Sequence, residues 1–206
     1  MSSEIKADKW SPASGTAGTI GDNGDTFTVP SGVTLDVASG ATLDTTGATV
    51  TGITSGITEA DQWRVTANFS GGADPIASNW ERNDTNFDKI GTGMSESSGV
   101  FTFPSTGIWE VSFNGCFNSN VDERYIESLI QNNTGPATLA TQYASIAIDE
   151  TAATYAGSAV KVIVDCTDTS TLKIKFKISR ENSSGVTDGH SDKNMTYATF
   201  IRLGDS

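Results

Sequence analysis

Phe101-Thr-Phe103-Pro104-Ser-Thr-Gly107-Ile-Trp109-Glu-Val111-Ser-Phe113 is the stretch that decides the fold. Phe101 and Phe103 flank a threonine, and Trp109, Val111 and Phe113 alternate with Glu110 and Ser112. Side chains two apart on a strand share a face, so the pattern predicts two strands, each buried on one side, with Pro104 and Gly107 between them. Working outward, Trp63, Val65, Ala67 and Phe69 alternate in the same way. Further strand candidates are 123–130, 138–148, 158–166, 171–179 and 195–203, and no stretch reads as a convincing helix. About eight to ten short strands separated by turn residues predict an all-β sandwich over residues 61–206. Its expected core includes Trp63, Phe69, Phe101, Phe103, Trp109, Val111 and Phe113.

Two of these strands carry more. Leu172, Ile174, Phe176 and Ile178 are expected to point inward, which aligns Lys173, Lys175 and Lys177 on the outside. That stripe fits an edge strand guarded against aggregation. It also fits an anionic glycan, or acidic residues of a neighbouring chain. Met195–Leu203 is apolar at both parities, through Tyr197, Ile201 and Leu203 on one side and Ala198 and Phe200 on the other. Burial on both faces is expected, by a second sheet and by another subunit.

Residues 1–60 differ in kind. Pro30-Ser-Gly-Val-Thr-Leu-Asp-Val37 is followed at once by Ala38-Ser-Gly-Ala-Thr-Leu-Asp-Thr45, with a degenerate third copy over 46–51. Each copy reads as a short strand with a Ser-Gly corner, the pattern of a β-solenoid rung. So few rungs, with such small inward residues, cannot bury a core alone. Three chains around one axis would share one, built from Val33, Leu35, Val37, Leu43 and Val50. The bland alternative is a flexible Gly/Ser/Thr linker. The expected organisation is therefore an attachment segment over 1–20, where Trp10 is the candidate anchor, a β stalk over 21–60 and a head over 61–206.

Composition narrows the function classes. The chain has 206 residues with 13 Lys+Arg against 25 Asp+Glu, a formal charge of −12, which disfavours a phosphate backbone as partner. No apolar run approaches the roughly 20 residues of a membrane-spanning helix, so membrane insertion is not expected. The N-terminal residues lack the apolar core of a secretory signal. Cys116 and Cys166 are expected as free thiols, consistent with assembly inside a cell.

The 101–113 stretch resembles the signature of the complement C1q/tumour-necrosis-factor-like head domain, and Thr199-Phe200-Ile-Arg-Leu203-Gly204 is similar to that family's closing strand. The resemblance implies a ten-stranded jelly roll assembled as a tight homotrimer. Thr26–Asp36 and Ser39–Asp44 resemble short repeats of bacteriophage tail fibres and other virion appendages, particularly marine ones, where they precede a C1q-like tip. Thr58–Phe69 and Pro75–Asn83 look like the opening of such tips. Together these imply a virion fibre assembled in the host cytoplasm, held by another virion protein through residues 1–20. Its head would contact a host-surface glycan or protein. A structural head-fibre or decoration protein, and a secreted ligand-like trimer, stand as alternatives.

Chemistry is sparse. Asp188-Gly-His190-Ser191-Asp192 gathers triad residue types, but such close neighbours in a Gly-rich loop rarely reach triad geometry, so no catalytic residues are expected. Asp22, Asp25, Asp84 and Asp88 are oxygen donors without the spacing of a calcium loop. No metal site or cofactor is expected, and a calcium ion on a trimer axis stays open with no assignable ligands. Recognition is expected in loops mounted on the sandwich. The longest, 180–194, offers Arg180, Asn182, Asp188, His190 and Asp192 as candidate receptor contacts, and trimeric display would multiply their affinity.

Overall fold

The computed structural model describes residues 26–43, 56–135, 137–148 and 152–206. The chain divides between Gly52 and Ile53, and each part is considered by itself. Val50, residues 1–20, Asp22 and Asp25 lie outside the described residues.

Residues 26–43 contain no strand; two turns eight residues apart organise them. The Val33 N–H donates to Pro30 O at 3.1 Å, and the Ala41 N–H to Ala38 O at 2.9 Å. Gly32 and Gly40 hold φ of 82° and 86°, the left-handed value that the third residue of a type II turn requires. The Ser-Gly corners of the repeat are therefore present, whereas the expected strands have no ladder partner among the described residues. Val33, Leu35, Val37 and Leu43, expected in a shared core, are exposed in the single copy. A strand needs a neighbour for its backbone groups, and residues 26–43 of one copy provide none.

The second part is built from thirteen strands among the described residues. In chain order they are β1 (Ala60–Val65), β2 (Phe69–Ser70), β3 (Trp80–Arg82), β4 (Lys89–Ile90), β5 (Ser95–Ser97) and β6 (Val100–Thr102). Then follow β7 (Gly107–Ser119), β8 (Glu123–Asn132), β9 (Thr138–Ile146) and β10 (Thr154–Cys166). The last are β11 (Lys173–Arg180), β12 (Val186–Thr187) and β13 (Tyr197–Gly204). The first sheet runs β2-β12-β7-β13-β1-β3, with β10 paired along all of β7 and β4 on β1. The second runs β5-β6-β11-β8-β9. Every pairing is antiparallel, and no helix occurs among the described residues.

Alternation does what period two requires. Along β7 every second residue from Gly107 to Ser119 is buried, placing Trp109, Val111, Phe113 and Phe117 inside. Between the sheets, Phe113 stacks on Phe176 at 4.8 Å, Trp80 meets Phe101 edge-on at 5.1 Å and Phe103 lies 5.0 Å from Trp109. Phe101, Phe103, Trp109, Val111 and Phe113 are core residues, while Trp63 and Phe69 pack against that core partly exposed. Gly107 explains the Pro-x-x-Gly element: its φ is 137°, and a Cβ there would come within 2.6 Å of Gly204 O.

Two expectations are corrected by topology. The lysine-bearing strand β11 is no edge, since β6 and β8 flank it. Ala67 is exposed, because β1 ends at Val65 and Phe69 belongs to a separate short strand. By contrast, β13 sits inside the first sheet between β7 and β1, with Ala198 and Phe200 turned to the core.

Candidate functional site

The segment 180–194 is more structured than a free loop, because Val186 and Thr187 form β12 and pair with both β2 and β7. That pairing draws its charged residues inward. Arg180 donates from Nε to Glu123 Oε2 at 3.0 Å and from Nη2 to Oε1, with both side chains 0% exposed. Asp188 is buried as well. Its carboxylate accepts Asn118 Nδ2 on both oxygens at 2.8 Å and Asn68 Nδ2 at 3.2 Å. Arg180 and Asp188 are therefore corrected from candidate contacts to internal braces.

The three other candidates reach the surface. Asn182 is half-buried and accepts the Ser184 N–H at 3.1 Å within its own turn. His190 is half-buried; its N–H donates to Val65 O at 2.8 Å and its Nδ1 accepts the Asp192 N–H at 2.9 Å. Asp192 is exposed. Cys116 Sγ lies 3.9 Å from Asp188 Oδ2, and burial first, then the Asp188 carboxylate, pushes its thiol pKa up.

The lysine stripe is also less free than its sequence suggests. Lys175 and Lys177 both reach Asp74, at 2.8 and 2.9 Å. Hydrogen bonds from Lys175 and then Lys177 hold the Asp74 carboxyl below the usual carboxylate range. Among the described residues no group of three His, Cys, Asp or Glu side chains converges as a metal site would require.

A broader surface lies on the outer face of the first sheet. One row of register partners crosses it from β10 to β4: Ile163, Glu110, Ile201, Ala60 and Ile90. Antiparallel partners share a face, so this row presents three isoleucines together. Ile163 is 60% exposed, Ile90 is exposed and Ile201 half-buried. Leu203 extends the exposed apolar surface along β13. Beside the row, Glu110, Ser112, Asn114, Ala159, Val160 and Lys161 line a shallow depression of about 250 Å³. Sequence reading placed Ile201 and Leu203 on this face but missed Ile163 and Ile90. Strand order supplies them.

This arrangement of two antiparallel sheets matches solved structures. The Eiger TNF from S. frugiperda aligns with TM-score 0.50 and 12% identity, over 71% of this chain and 93% of that one. Murine APRIL at pH 5.0 aligns with TM-score 0.50 and 17% identity, over 70% and 98%. The second part of the chain has a tumour-necrosis-factor-like jelly-roll fold. A looser match, the PRD1 vertex protein P5, has TM-score 0.45 and 13% identity over 73% and 100%, too distant to bear on where this jelly roll works. No protein-family model matches the chain, and no curated protein matches it.

Proposed function

We propose that this chain is a non-enzymatic, cofactor-independent virion fibre, a homotrimer whose jelly-roll head binds the host cell surface. The observation that carries the self-association is the row Ile163–Glu110–Ile201–Ala60–Ile90, which gathers three isoleucines on the outer face of the first sheet with Glu110 between the first two. Large apolar side chains gathered in the open on one sheet face mark an interface. Exposed Leu35 and Leu43 in the repeat carry the same demand, and a second and third copy would meet it in both parts. The tumour-necrosis-factor-like fold supports three as the number. Residues 1–20 would hold another virion protein.

Light scattering coupled to size exclusion tests the assembly. The full chain is expected at three times its own mass, and Ile163→Asp is expected to shift it to monomer. A monomeric wild-type chain would remove the fibre reading. Binding of fluorescent trimer to intact bacterial cells tests the head; a trimer present in virions yet binding no cell would be a structural decoration instead.

A further inference from the structure

On the outer face of the second sheet, register brings two tyrosines and a carboxylate together. Glu127 lies opposite Tyr143 across β8 and β9, and opposite Ser179 across β8 and β11. Its Oε1 accepts the Tyr143 hydroxyl at 2.9 Å and the Thr141 hydroxyl at 3.0 Å. Among the described residues, Oε2 accepts no hydrogen bond. Tyr125 projects from the same face, because the intervening Ile126 is fully buried. Tyr125 and Tyr143 are 38% and 57% exposed. The hydrogen bond to Glu127 raises the Tyr143 phenol above its usual range, so that proton stays on the tyrosine and keeps Oε1 occupied.

The neighbouring charges are already paired. Arg124 donates from Nε to Glu181 at 2.7 Å, and Lys177 holds Asp74. No unpaired cation within this group is left to meet an anion, while a fixed carboxylate oxygen is left to accept hydroxyls. The apolar C–H face of a pyranose lies well on a half-exposed tyrosine ring, and its hydroxyls donate to a carboxylate in charge-assisted hydrogen bonds. An acidic sugar or an acidic peptide would be repelled by Glu127. Thr141 and Ser179, with the Glu127 carboxylate, make the patch too polar for the apolar interface of a second copy.

We propose that Tyr125, Glu127 and Tyr143 form a site for neutral glycans, with the pyranose on the tyrosine rings and adjacent hydroxyls on Glu127 Oε2. The assignment rests on the reading of the head as a surface-binding module and names the chemistry it would bind.

The test uses the full chain against immobilised mannan, dextran and galactan, with polygalacturonate as the acidic counterpart. Binding to at least one neutral polymer, and weaker binding to polygalacturonate, is expected. Glu127→Gln is expected to weaken neutral binding roughly tenfold and to reduce the discrimination against polygalacturonate. Tyr125→Ala with Tyr143→Ala is expected to abolish it, while Tyr143→Phe, which keeps the ring, retains most of it. Light scattering on each variant checks assembly. A variant that dissociates the oligomer would overturn the assignment by making the patch a self-interface. Binding to no neutral polymer, or binding unmoved by these variants, overturns it too. A chain that decorates bacterial cells equally well with Tyr125, Glu127 and Tyr143 replaced would overturn the sugar site and leave cell adsorption standing. Variant-sensitive polysaccharide binding without cell binding would support the site and remove the adsorption reading.

Discussion

Glu123 and Arg180 face each other with no side-chain surface left to water, one at the start of β8 and the other at the end of β11. Desolvating both ions is costly, so the pair adds little net stability, but stranding one of them is worse. Glu123→Ala is expected to cost about 3–5 kcal/mol in urea unfolding, because Arg180 would stay buried without its partner. Replacing both with apolar residues of similar volume is expected to cost much less. Cys116 provides a second test at this scale. Burial and then the Asp188 carboxylate disfavour its thiolate, so alkylation by iodoacetamide at pH 8 is expected to be slower than for free cysteine. Asp188→Asn is expected to speed it severalfold, roughly in line with loss of the nearby charge.

At the scale of elements, β11 shows how a strand's neighbours change the meaning of its side chains. A lysine stripe on an edge strand repels other edges. The same stripe in the middle of a sheet has to coexist with what lies beside it, and here the 74–75 loop brings one carboxylate to two ammonium groups. The Asp74 pKa is depressed on folding, so its stabilising contribution is present above the unfolded carboxylate value of about 4 and is lost as pH falls through the lower folded value. Asp74 is 42% exposed, so solvent screening limits the effect to about 1 kcal/mol or less. Asp74→Asn is expected to lower stability slightly at pH 6, and the difference from wild type is expected to shrink as pH falls below about 4 and to vanish below the depressed folded value. Thermal unfolding across that range measures it.

For the whole molecule, the question is what covers the apolar residues a single copy leaves in water. Ile163 comes from β10, Ile201 from β13 and Ile90 from β4, three strands far apart in the chain that the first sheet brings into one row, with β7 and β1 between them. The Ile163→Asp change would place a charge at the most exposed isoleucine of that row, where burial against another copy costs several kcal/mol unless it is paired. Loss of the oligomer with an unchanged circular dichroism spectrum is the expected result. An unaffected oligomer would move the interface elsewhere. Trimeric display would matter for the proposed glycan site as well, because three weak sites on one rigid unit raise retention on a repetitive surface.

Much of the fold was legible in the residues because alternation is local. Trp109, Val111 and Phe113 are inside β7 for the reason their spacing states, and Ile174, Phe176 and Ile178 are inside β11 likewise. The turns at Gly32 and Gly40 follow from the only residue type that accepts their φ without strain. The candidate site was far less legible. Arg180 and Asp188 stand in a polar, Gly-rich stretch and read as solvent contacts, yet their partners Glu123 and Asn118 lie 57 and 70 positions earlier. Likewise Tyr125, Glu127 and Tyr143 are ordinary strand residues until the β8–β9 register sets Tyr143 against Glu127. Side-chain period and backbone torsion depend on near neighbours, so the long strands of the sandwich, their buried faces and the repeat's turns were legible from the residues, whereas short strands such as β3 and β4 and the pairing of the repeat were not. Which strand lies beside which, which charges are sealed inside and which surface residues meet was decided only by the tertiary structure, because pairing is chosen by the whole packed core.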